Sequence, residues 1–75
     1  MEISLDALGL GKSGIVTCVE TDPMLEKRLR DFGMVPGTVV GCRYRSPGGS
    51  VTALEFRGTV VALRTRDTRK IRVRC

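Results

Sequence analysis

A helix that is made to stop constrains this chain more than any other feature. Arg28-Leu29-Arg30-Asp31-Phe32 reads as a helix end, Gly33 follows, and Met34-Val35-Pro36-Gly37 turns the chain toward Thr38-Val39-Val40. Glycine has no Cβ, so Gly33 accepts the left-handed backbone that commonly closes a helix. Pro36 cannot carry a helix further, and Gly37 releases the chain into an extended run. One corner of the fold is thereby set, with a helix before it and strands after it.

The helix has a start signal as clear as its stop. In Thr21-Asp22-Pro23, Asp22 is suited to cap the first turn and Pro23 to occupy the first helical position. Leu25, Leu29 and Phe32 then recur at i, i+4 and i+7, which puts all three on one face, expected to be the buried one. Before the helix, Ser4-Leu5-Asp6-Ala7-Leu8 suits a helical turn, and Gly9 to Gly14 a flexible lead-in. Ile15 to Glu20, rich in β-branched residues, reads as a strand.

After Gly37 the pattern is strand and turn throughout. Thr38 to Arg45 is followed by Ser46-Pro47-Gly48-Gly49-Ser50, a strong turn signal. Val51 to Phe56 offers Val51, Ala53 or Leu54, and Phe56 as core candidates. Arg57-Gly58 is a tight connection to Thr59-Val60-Val61-Ala62-Leu63, and Thr65 to Arg69 is a short polar crossover. In Lys70-Ile71-Arg72-Val73-Arg74 strict alternation sends Ile71 and Val73 to one face and the cations to the other. About five short strands with one inserted α-helix predict a mostly β fold: a small, partly open, SH3-like β-barrel. With 75 residues, the chain is expected to be one domain, residues 1–75.

Composition narrows the function classes. No apolar run approaches the roughly 20 residues that span a bilayer, so membrane insertion is not expected. The acidic start Met1-Glu2-Ile3-Ser4-Leu5-Asp6 lacks the layout of a signal peptide, which makes the cytoplasm the expected compartment. Histidine is absent, and with it the commonest general base and the commonest transition-metal ligand. Cys18, Cys42 and Cys75 are an odd set without a C-x-x-C pair. They suit buried small side chains in the strands (Cys18, Cys42) and an exposed thiol (Cys75) better than a zinc site. Gly-Lys-Ser at Gly11-Lys12-Ser13 fails as a phosphate loop. The glycine needed six positions before Lys12 is Asp6, and a strand rather than a helix follows. No catalytic, cofactor-binding or metal-binding residue is assigned, no small-molecule substrate is expected, and the protein is read as no enzyme.

Charge is concentrated at one end. Residues 1–56 carry six Lys/Arg against seven Asp/Glu, whereas residues 57–75 carry seven Lys/Arg against Asp67 alone. Such an end suits nucleic acid, an anionic surface or an acidic protein. Single-strand binders add aromatic platforms for stacking. Here only Phe32, Tyr44 and Phe56 are aromatic, and both phenylalanines are expected in the core.

Taken in order, these elements resemble the FeoA family and the related barrel domain of iron-dependent repressors. The family motif R-L-x-x-[LF]-G-[LM]-x-P-G stands here as Arg28 to Gly37. A Pro-Gly turn (Pro47-Gly48-Gly49), A-L-R (Ala62-Leu63-Arg64) and I-x-V (Ile71 and Val73) follow it. Thr68 departs from the pattern, standing where the family generally has alanine, and the arginine density after Gly58 is unusual. The resemblance implies a non-enzymatic accessory role in ferrous iron uptake. The partner it implies is the cytoplasmic GTP-binding region of the FeoB membrane transporter; direct iron binding is not implied. Candidate contact residues are Leu10 at its loop tip, Arg28, Met34 and Val35 (core plug or exposed knob), Tyr44 and Arg64. Two other readings stay open: a basic barrel binding RNA or DNA through Arg64 to Arg74, and a free-standing repressor-type regulatory domain. Exposed strand edges and Cys75 leave room for a weak homo-oligomer.

Overall fold

A computed structural model describes all residues, Met1 to Cys75. The chain forms six strands: β1 Glu2–Ser4, β2 Ser13–Val19, β3 Val39–Arg45, β4 Val51–Phe56, β5 Thr59–Arg64 and β6 Ile71–Arg74. A 3-10 turn occupies Leu5–Ala7, helix α1 spans Pro23–Phe32, and a short helix α2 spans Thr65–Thr68. All strands pair antiparallel in the order β1-β6-β2-β3-β4-β5, one curled sheet that does not close on itself. The protein is mostly β, as expected from the run of short strands after Gly37.

Helix α1 begins and ends as its sequence dictates. The Leu25 N–H donates to the Asp22 carboxylate at 3.1 Å, and Pro23 lies in the first turn. At the other end Gly33 takes φ = 104°. The Gly33 N–H donates to the Arg30 carbonyl at 3.0 Å and the Met34 N–H to the Leu29 carbonyl at 2.8 Å. This pair of bonds satisfies carbonyls that would otherwise face nothing, and it brings Met34 back against Leu29.

The corner after Gly33 is locked by Thr38, which is buried. Its hydroxyl donates to the Gly33 carbonyl at 2.8 Å and accepts from the Val35 N–H at 3.3 Å. Its backbone carbonyl accepts from the Val16 N–H at 2.8 Å, and the Gly37 N–H donates to the Val16 carbonyl at 2.7 Å. Helix end, turn and sheet thus meet on one residue. Across the corner, Arg57 lays its stem over Gly33, where a Cβ would stand 2.6 Å from the Arg57 Cδ. Arg57 itself has φ = 52° and Gly58 φ = 76°, the paired positive angles of a two-residue hairpin turn that matches strand twist.

Twelve residues form the core, drawn from every strand except β1 and including Leu5, Leu8, Leu29 and Met34. Ile71 and Val73 point inward and Arg74 outward, as the alternation required. Several expectations are corrected. There are six strands rather than five, because β1 is three residues long and its partner β6 lies at the far end of the chain. The crossover at Thr65 to Arg69 holds a helical turn. On β4 the inward set is Thr52, Leu54 and Phe56, leaving Val51 and Ala53 half-buried. Cys18 is half-buried rather than buried. The glycine loop is tied down, since the Gly11 N–H donates to the Cys42 carbonyl at 2.8 Å and the Cys42 N–H to the Lys12 carbonyl at 3.0 Å. Phe32, the last residue of α1, is 51% exposed rather than part of the core.

Removing the Thr38 hydroxyl should therefore loosen the corner. Thr38→Val is expected to lower unfolding free energy by about 1–3 kcal/mol, the cost of stranding buried polar partners. Thr38→Ser should retain most of it, as read by urea denaturation. Gly33→Ala should cost about 1–2 kcal/mol through its positive φ. Part of any further loss should be recovered when Arg57→Ala is added, because the colliding stem is then gone.

Candidate functional site

A groove of about 380 Å³ runs between α1 and the chain from β5 into α2. Its helix wall is Leu25, Arg28, Leu29 and Phe32, and its other wall is Val61 to Arg64 with Arg66 and Asp67. Leu25 and Val61 are half-buried and pack on the core, so the floor is apolar. Arg28, Arg64 and Arg66 are all exposed at the rim.

These three arginines carry no acidic partner, unlike their neighbours on α1 and near the C-terminus. On α1, Lys27 pairs with Asp31 at 3.5 Å and Arg30 with Glu26 at 2.6 Å, both at i, i+4 spacing. Arg69 meets Asp6 at 3.7 Å, and Arg72 meets Glu2 at 3.5 Å. Arg28, Arg64 and Arg66 have no carboxylate within 4.0 Å. Against Asp67, the rim carries a surplus of positive charge over an apolar floor.

A second hollow, about 420 Å³, lies between the glycine loop and the β4–β5 turn, lined by Lys12, Val39, Arg43, Glu55 and Arg57 among others. Here one cation is answered by an acid, while Lys12 and Arg57 have no carboxylate within 4.0 Å. Glu55 hydrogen-bonds Arg43 across the strands and attracts it, which holds the Arg43 guanidinium pKa above its ordinary value. The pair is solvent-exposed and adds little stability.

The predicted contact residues divide among these places. Arg28 and Arg64, 36 positions apart, are brought into the same groove. Leu10 (62% exposed) and Tyr44 (55%) stand on the surface outside it. Val35 is half-buried on the Pro-Gly turn. Met34 is 1% exposed and has no surface to offer a partner, because the helix-closing bonds fold it into the core as a plug. Phe32 and Arg66 belong to the groove and were not among the predicted contacts. The helical spacing counted Phe32 as core, and only the arginine density near the C-terminus hinted at Arg66. No three His, Cys, Asp or Glu side chains gather as a metal site would require. Thr68 is fully buried, its hydroxyl donating to the Thr65 carbonyl at 3.1 Å within its own turn.

Residues 3–75 match the family described as FeoA domain, nearly the whole chain. The chain belongs to the FeoA family. Solved FeoA structures agree. The FeoA protein of Chlorobium tepidum, 26% identical, superposes with a TM-score of 0.92 over 96% of this chain and 69% of its own. The zinc-complexed FeoA of Stenotrophomonas maltophilia, described as a prokaryotic SH3 domain protein, is 28% identical with a TM-score of 0.83, covering 95% of this chain and 88% of its own. A manganese-dependent transcriptional repressor shares the fold at 18% identity, with a TM-score of 0.84 over 96% of this chain and 40% of its own. No protein of curated function matches the chain. FeoA is a small accessory family rather than a known enzyme family, and membership implies involvement in ferrous iron transport. No helix of this FeoA domain is long and apolar enough to cross a membrane.

Exposure separates two near neighbours, Phe32 and Met34. Met34→Ala should destabilise the fold by about 2–5 kcal/mol as a core truncation. Phe32→Ser should shift stability by less than about 1 kcal/mol. Parallel urea titrations check both.

Proposed function

We propose that this FeoA-family chain is a non-enzymatic protein-interaction module that acts in the cytoplasm, as one domain, on the GTP-binding region of a FeoB-type transporter. The observation that carries this reading is the groove between α1 and β5. It combines Arg28 of the family motif, Arg64 of the A-L-R element and the exposed ring of Phe32 over an apolar floor. Interface hot spots favour arginine and aromatic residues seated on desolvated surface.

Such a module works by differential binding. It alters the transporter's GTPase cycle only so far as it binds one conformation of that region better than another, and a tenfold preference corresponds to about 1.4 kcal/mol. The nucleic-acid reading draws less support. Arg69 and Arg72, in the middle of the basic stretch, are already paired with Asp6 and Glu2.

Titrating the isotope-labelled chain with the transporter's soluble GTP-binding region should shift NMR signals of Arg28, Phe32 and Arg64. Arg64→Glu should weaken that binding about tenfold or more. Absence of shifts at stoichiometric concentration would sink this partner.

A further inference from the structure

Strand β5 is an edge of the sheet, paired with β4 on one side and with no strand on the other. The Thr65 N–H donates to the Ser50 carbonyl at 2.9 Å, which sets the parity of the ladder. In the β4–β5 register, Thr52 and Leu63, Leu54 and Val61, and Phe56 and Thr59 are then the hydrogen-bonded pairs. Val60 and Ala62 turn their N–H and C=O groups away from β4, and Arg64 turns its N–H away, its carbonyl serving as the N-cap acceptor of α2. None of the turn or loop hydrogen bonds of the backbone involves these three N–H groups. The free row opens at the groove, of which Ala62 and Arg64 are lining residues.

Sheet edges are commonly blunted by proline, lysine, a bulge or a covering segment. Strand β5 has none of the first three. Its sequence is Thr59-Val60-Val61-Ala62-Leu63-Arg64, its register with β4 is unbroken, and Val60 is 60% exposed. Helix α1 stands opposite and leaves a slot instead of covering it. An edge strand facing a helix across an apolar slot is the arrangement in which an extended peptide can add to a sheet.

Charge selects the occupant. Arg28, Arg64 and Arg66 are unpaired, and Asp67 is the single acid of the lining. A second copy of this chain would bring the same positive rim to the slot, and like charge opposes that contact. A segment alternating acidic with apolar residues answers both the rim and the floor.

We propose that the groove takes up an extended acidic segment of a partner protein as a seventh strand on β5, its backbone bonded to Val60, Ala62 and Arg64 and its apolar side chains seated against Leu25 and Phe32. This deepens the reading above and rests on the groove being the partner surface.

The test uses the full chain and a synthetic eight-residue peptide alternating Glu with Val. Hydrogen exchange should slow about tenfold or more at the Val60, Ala62 and Arg64 amides when the peptide binds. Ala62→Pro removes one outward N–H at an edge position where proline is tolerated, and it should weaken the peptide about tenfold or more. Should that variant not fold, amide protection in the unaltered chain decides. Unprotected amides, unchanged affinity of a folded Ala62→Pro, self-pairing of β5 without peptide, or preference for a single-stranded oligonucleotide each overturn strand addition. Shifts from the transporter region without amide protection from either ligand would remove strand addition and leave the partner surface standing. Protection by the peptide with no response to the transporter region would do the reverse.

Discussion

The Thr38 hydroxyl is the contact on which the rest of this molecule depends. It reaches the Gly33 carbonyl and the Val35 N–H, while the same residue's carbonyl extends the ladder to Val16. One small side chain therefore joins the end of α1, the Pro-Gly turn and the sheet. Because Thr38 is buried and the partners of its hydroxyl are half-buried, losing these bonds would be costly. With the corner held, α1 has one place to lie, and Leu29 and Met34 enter the core together.

Function follows from where that helix is parked. A six-stranded sheet that curls without closing leaves an edge, and α1 stands across from that edge without sealing it. Lys27, Arg30, Arg43, Arg69 and Arg72 are each paired with a local acid. The arginines beside the slot are not. What the fold presents there is a shaped recess with a positive rim.

Much of this was legible in the sequence because it was local. Asp22-Pro23, Gly33, Arg57-Gly58 and the Ile71/Val73 alternation each encode their own geometry within a few residues, and each was found where expected. What was not legible is long-range. The strand β1 exists because Glu2 to Ser4 lie beside Arg72 to Arg74. Phe32 keeps perfect helical spacing, yet it lines an open groove instead of the core. Met34 could be a plug or a knob until the hydrogen bonds of the helix end decided it. The groove joins Arg28 and Arg64 only through the packing of elements that no periodicity relates.

The position of β6 has a cost in time rather than in stability. Strands β3, β4 and β5 follow one another and can zip as neighbours. Strand β6 must slot between β1 and β2, pairing Val19 with Ile71 across about fifty intervening residues. Closing that loop forfeits chain entropy before any contact rewards it. For a molecule this small the last pairing is the slow one, and until it forms β2 is a second open edge.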